Sequence, residues 1–135
     1  MYGLRMKREY LDEILSGKKN SDARLSDTSI RGEIGLIDID TNEILGIADL
    51  IGTKVINFEE YINWHISSSF DNKKANDYIN SLDFTKLNTK AYLYLFGDVN
   101  PLNTPCIIVE KSSTKTWVEF DLEDSIKGYE QTSLF

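Results

Sequence analysis

Gly17-Lys18-Lys19-Asn20-Ser21-Asp22-Ala23-Arg24 sets a glycine behind a helix-like segment and then presents cations around a single carboxylate. The residues ahead of it explain the glycine. From Lys7 to Ser16, Tyr10, Leu11, Ile14 and Leu15 recur at the spacings of one helical stripe, which predicts a short amphipathic helix with Glu9, Asp12 and Glu13 on its wet face. Gly17 is the predicted stop, because a glycine just past the last periodic residue takes the left-handed cap conformation at little cost. Lys18 and Lys19 then lie where the helix dipole is negative. Beyond the stop the segment reads as a strand, and residues two apart in a strand share a face, so Asp22 and Arg24 point the same way with Lys19 near one end.

The residue types suit recognition of an anion or a polar edge. A lysine ammonium is a mobile point charge, whereas arginine offers a planar fork that matches phosphate, carboxylate or a base edge. Asp22 either accepts a proton or holds the cations in place. On spacing alone the cluster reads first as a solvated group of salt bridges, worth about 0 to 1 kcal/mol per exposed pair.

Working outward, Met1 to Met6 reads as a first strand, and Glu33 to Ile39, with apolar residues at 34, 36, 37 and 39, as a largely buried one. Asp40-Thr41-Asn42-Glu43 is rich in turn formers, so Ile44 to Val55 is expected to return antiparallel as a hairpin. Gly35 and Gly46 read as bulges or close-packing points in a curved sheet. Asn57 to His65 opens on a cap residue and predicts a helix, with another expected over Lys73 to Leu82. Ala91 to Phe96 is apolar or aromatic throughout, as in a central strand covered on both faces. Gly97 to Pro105, which contains both prolines, is expected as a loop, followed by strands over Cys106 to Val109 and Thr116 to Asp121.

Size and composition bound the alternatives. A chain of 135 residues with 41% hydrophobic residues forms one compact domain around one core. No stretch approaches the roughly 18 to 20 apolar residues of a membrane span, and Met1-Tyr2-Gly3-Leu4-Arg5 lacks the layout of a secretory signal, so the expectation is a cytoplasmic protein without a membrane partner. The single cysteine, Cys106, excludes an internal disulfide and a multi-thiolate zinc site, and its apolar neighbours predict a buried thiol. No metal and no cofactor is expected. His65, the only histidine, is expected to pack a helix or the surface, and Tyr61, Trp64, Tyr92 and Tyr94 either stack a base or fill the core. Net charge is −7, which argues against tight binding to long duplexes, yet residues 1 to 31 hold seven cations against five acids. A weakly basic edge on an acidic body suits a nucleotide or a short selected strand.

Gly17, Lys19, Asp22 and Arg24 resemble the G-x-K-x-x-E-x-R signature of the ASCH domain, a member of the PUA-like superfamily. The likeness extends to the strand at the start, the helix ending in Ile14-Leu15-Ser16-Gly17-Lys18-Lys19, Arg31 to Ile37, Ile44 to Leu50 and Thr116 to Phe120. It covers roughly residues 1 to 121 as a single domain and leaves 122 to 135 as a tail. It implies an α+β fold, a small mixed β-barrel of five to six strands flanked by helices, with a cleft between the first helix and the barrel. There Lys18, Lys19, Asp22 and Arg24 are the implied ligand-binding residues, for RNA or a nucleotide. Two further readings accompany it. One is a hydrolase in the same cleft, either a ribonuclease or an amidohydrolase on a modified cytidine, with Lys19 activating water or the substrate carbonyl and Asp22 as acid or base. The other is a protein-interaction module of coactivator type with a protein partner.

One departure is visible. The family acid is usually glutamate, and Asp22 retracts the carboxylate by one methylene, about 1.5 Å. A bacterial relative that hydrolyses an acylated cytidine has a lysine where Lys19 stands and a threonine where Asp22 stands. Ser21 is one place away and faces the other side of a strand.

Overall fold

The computed structural model describes residues 1–67, 77, 80, 81, 90–107 and 116–121. Their elements run β1 (Tyr2–Met6), α1 (Arg8–Leu15), β2 (Ser21–Arg24), β3 (Gly32–Asp38), β4 (Glu43–Ile56), α2 (Phe58–Ser67), β5 (Ala91–Ile107) and β6 (Trp117–Glu119). The strands form one sheet in the order β2-β5-β4-β3-β1-β6. β1 runs parallel to β3, and every other pairing is antiparallel. The sheet curls into a half-barrel with the two helices against it, the predicted α+β class.

The hydrophobic pattern explains the curl. Leu4, Ile34, Leu36, Leu50, Tyr94 and Phe96 point inward from the sheet and meet Leu11 and Ile14 of α1 in one buried cluster. At about 25 cal/mol per Å² of apolar surface removed from water, this contact fixes α1 on the sheet more firmly than the propensity of an eight-residue helix does. Gly46 lets α1 approach. A Cβ there would stand 2.5 Å from Leu15 Cδ2 and 3.2 Å from the Asn100 carbonyl oxygen, so it is a close-packing point, as is Gly35 beneath the Phe120 ring.

The predicted β3–β4 hairpin is present, with Asn42 at φ 62° in its turn. Three sequence expectations change. Gly97 to Pro105 is not a loop: β5 runs through it without a break and absorbs both prolines in register shifts against β4, where Pro101 lies opposite Gly46 and Asp98 takes φ 43°. Proline lacks a ladder donor, so it persists in a strand only where the pairing is irregular. Glu13, expected on the wet face of α1, is buried, because Lys19 folds back to pair with it at 3.5 Å. The expected strand over Thr116 to Asp121 contracts to Trp117–Glu119. Ala91 to Phe96 is an interior strand, one in from the edge, between β2 and β4. The expectations for Val109, for most of Lys73 to Leu82 and for the tail 122 to 135 lie outside the described residues.

A side chain spans the open side of the half-barrel. β2 and β1 lie toward opposite ends of the strand order, yet Arg24 Nη2 donates to the Arg5 carbonyl at 2.6 Å. The Arg5 amide, by contrast, donates to the Thr116 carbonyl beside β6. Nearby, Tyr94 Oη donates to the Ser26 carbonyl at 2.7 Å.

Candidate functional site

Gly17 ends α1 at φ 83°, as predicted, and the chain turns so that the Gly17 and Lys19 amides donate to the carbonyls of Ile14 and Glu13. With those carbonyls satisfied the chain enters β2, which pairs with β5 so that Asp22 faces Tyr94 and Arg24 faces Tyr92. Strand alternation then puts Asp22 and Arg24 on one side, and Arg24 Nε donates to Asp22 Oδ2 at 2.5 Å.

Asp22 is only 2% exposed. Burial pushes its carboxyl above the ordinary carboxylate range, while the Arg24 and Lys19 charges pull it back. Oδ1 of Asp22 and Nη1 of Arg24 make no hydrogen bond among the described residues. The pair therefore keeps one acceptor atom and one donor nitrogen without a hydrogen-bond partner among the described residues.

Lys19 is turned elsewhere. Its Nζ donates to the Trp64 carbonyl at 2.9 Å and to Ser67 Oγ at 3.0 Å, and it sits 4.0 Å from the centroid of the Trp64 ring. Burial lowers its ammonium below the ordinary lysine value, opposed by Glu13. Lys19 thus straps the start of β2 to the C-terminal end of α2. Lys18 is exposed on the turn.

Between α1, α2 and β2 lies a cavity of about 480 Å³. Asp22 and Arg24 line it, whereas Lys18 and Lys19 do not. Arg5 and Lys7 add two more cations, Tyr10, Tyr61 and His65 form a ring wall, and the exposed Leu25 and Ile39 stand at its mouth. His65 Nδ1 and Tyr10 Oη are 3.0 Å apart, and the His65 ring packs edge-on against Tyr10, Tyr61 and Trp64. Burial is the main reason its pKa falls from 6.5 to about 4, and Lys19, Arg24 and Lys7 lower it further. Burial likewise lifts the Tyr10 phenol to about 12. At neutral pH both rings are uncharged, so among the described residues the formal charges of the wall come from Arg5, Lys7 and Arg24 against Asp22.

Another hollow, of about 510 Å³, has Glu33, Asp49 and Asp98 in its lining and no cation among the described residues. Among the described residues no three His, Cys, Asp or Glu side chains are grouped to hold a metal ion.

Sequence reasoning reached Asp22, Arg24 and Tyr61, and left Arg5, Lys7, Tyr10 and His65 out of the ligand site. The excess of cations in residues 1 to 31 was the available signal for Arg5 and Lys7. Of the four candidate base-stacking aromatics only Tyr61 lines the cavity. Trp64 holds Lys19 and donates from Nε1 to Ser21 Oγ, Tyr94 is a core ring stacked on Trp117, and Tyr92 packs against the core.

The ASCH domain profile matches residues 4–101. The chain belongs to the ASCH domain family. That match takes in β1 through the first part of β5 and so contains every lining residue of the cavity except Thr116. Among solved structures, the ASCH protein of Zymomonas mobilis superposes with a TM-score of 0.62 at 16% identity, covering 96% of this chain and 93% of that one. Its serine-to-alanine and tyrosine-to-phenylalanine variants superpose with TM-scores of 0.63 and 0.62, also at 16% identity. They cover 96% of this chain and 94% and 96% of theirs. At that identity the likeness is one of fold. No curated protein sequence matches the chain.

Proposed function

We propose that this ASCH domain binds RNA or a nucleotide in the cavity between α1, α2 and β2. One observation carries the reading: a buried carboxylate and an arginine, each with an unengaged polar atom, share a ring-walled cavity whose formal charge is opposite to that of the chain. A base ring lies against Tyr10 and Tyr61, as unstacked bases do on aromatic side chains. Asp22 Oδ1 accepts from a base N–H, and Arg24 Nη1 donates to a neighbouring acceptor. Lys19 acts at one remove, by holding α2 in place and by adding to the positive field.

The test is titration of short single-stranded oligoribonucleotides and of nucleosides into the protein, its Asp22→Asn variant and its Lys19→Ala variant. Asp22→Asn keeps the shape and removes the charged acceptor, so affinity falls by about tenfold, the equivalent of 1.4 kcal/mol for a charged hydrogen bond. Lys19→Ala weakens binding less. Absence of binding to the unmodified protein, or equal binding by Asp22→Asn, rejects the proposal.

One observation favours a hydrolase in the same cavity: burial raises the Asp22 carboxyl above the ordinary carboxylate range, the direction that suits a group exchanging a proton with a substrate. Turnover of acylated cytidines or of labelled RNA that disappears in Asp22→Asn separates catalysis from binding.

A further inference from the structure

Of the cavity cations Arg5, Lys7 and Arg24, the last two are less deeply buried and can reach a ligand. Arg5 is 1% exposed, donates from Nη2 to Asn42 Oδ1 at 2.9 Å and so supports the hairpin turn. Arg24 commits Nε and Nη2 to Asp22 and to the Arg5 carbonyl, which leaves Nη1. Lys7 precedes α1 and is exposed, and among the described residues its ammonium makes no hydrogen bond or ion pair. Asp12 and Glu13 of the helix that follows it are engaged by other cations, Asp12 by Arg8 Nε at 2.8 Å and Glu13 by Lys19.

We infer that Lys7 and Arg24 Nη1 form a phosphate subsite in this cavity, so that its ligand is one unpaired nucleotide carrying a phosphate. The inference rests on the nucleotide reading above and narrows it. Three features carry the argument. An arginine N–H with a lysine ammonium makes a strong phosphate contact, the first by direction and the second by charge. The volume of about 480 Å³ lies within the range of about 300 to 1,000 Å³ usual for sites that enclose a single small ligand. The exposed apolar lining residues Leu25 and Ile39 offer contact to a ring face, which a duplex keeps stacked inside while showing only backbone and base edges. The neutral His65 fits the same field, since Lys7 and Arg24 both act on its ring.

The experiment is calorimetric titration of the full chain with each nucleoside, with its 5′-monophosphate and with a duplex oligoribonucleotide, at low and moderate salt. The protein is compared with Lys7→Gln and with Lys54→Gln, the latter an exposed lysine outside the cavity. The expected result is tenfold or tighter binding of a monophosphate over its nucleoside at low salt, shrinking as salt rises because phosphate contacts release counterions. Lys7→Gln abolishes most of that advantage and leaves nucleoside affinity alone, while Lys54→Gln changes neither. Nucleosides binding as well as monophosphates, or both lysine variants weakening the monophosphate equally, overturns the subsite and leaves the nucleotide reading standing. Duplex binding as tight as the monophosphate overturns the single-nucleotide claim. Failure of every probe to bind overturns the subsite together with the reading beneath it.

Discussion

Replacing Arg24 by methionine removes two bonds with one change and keeps most of the side-chain volume. The first is the Nε bond to Asp22 Oδ2, and the second is the Nη2 bond that joins β2 to the Arg5 carbonyl across the open side of the half-barrel. Asp22 is left as a buried carboxylate without its partner. Breaking a buried ion pair from one side costs about 3 to 5 kcal/mol, and the partial exposure of the arginine places this case at the lower end, about 3 kcal/mol. That is a large share of the total stability expected of one domain, about 5 to 15 kcal/mol.

The pH dependence follows from the carboxyl. Asp22 in the folded protein already sits above its ordinary value of 3.8, and loss of Arg24, which lowers it, moves it further up. A carboxyl whose folded pKa exceeds its unfolded one keeps its proton in the folded state over the window between the two. The native state then binds more protons, so stability falls as pH rises through that window. The penalty of Arg24→Met is therefore largest at pH 7 and shrinks toward pH 4, where the protonated Asp22 no longer needs a cation. Urea unfolding followed by tryptophan fluorescence at pH 7, 5.5 and 4 measures it. A loss below about 0.5 kcal/mol that is flat with pH is the behaviour of a solvated surface pair and refutes the reasoning.

Two further outcomes follow from the packing and the titration of the ring wall. Gly46→Ala drives a methyl into Leu15 Cδ2 and the Asn100 carbonyl and lowers stability by about 1 to 3 kcal/mol; in calorimetry Leu15→Ala in the same chain recovers part of the lost Tm, because only the side-chain half of the clash is relieved. His65, with its pKa lowered from 6.5 to about 4, stays neutral down to pH 5 in an NMR titration of its ring protons. Its contribution to stability is present above pH 6.5 and is lost as pH falls toward 4, since only the unfolded chain takes up the proton in that window. A midpoint near 6.5 contradicts the buried setting.

The element order from β1 to α2 was legible because its signals are local. The helical stripe of Tyr10, Leu11, Ile14 and Leu15, the left-handed stop at Gly17 and the turn around Asn42 each act within a few residues. Alternation alone put Asp22 and Arg24 on one face, and the spacing from Gly17 to Arg24 indicated the family that the profile match then established. The continuity of β5 was hidden because two prolines are a breaking signal unless a partner strand supplies irregular pairing, and β4 lies more than thirty positions away in the chain. The wet-face reading of Glu13 failed for a related reason. A carboxylate is buried only when a cation comes to it, and Lys19 comes from beyond the turn.

The sequence by itself determined which residues carry charge, where the first helix starts and stops, and which pair shares a strand face. Those are consequences of backbone periods and of glycine at a turn, and they hold before the chain closes. Which cation meets which partner was decided by tertiary structure alone. Curling of the sheet brought Arg24 to Arg5, packing of α2 drew Lys19 to Trp64, and the hollow left between the helices and β2 gathered Lys7, Asp22 and Arg24 into the lining of one cavity. The physical reason is range: a side-chain ion pair or hydrogen bond forms over a few ångströms, and only closure of the half-barrel brings residues so distant in sequence within that reach.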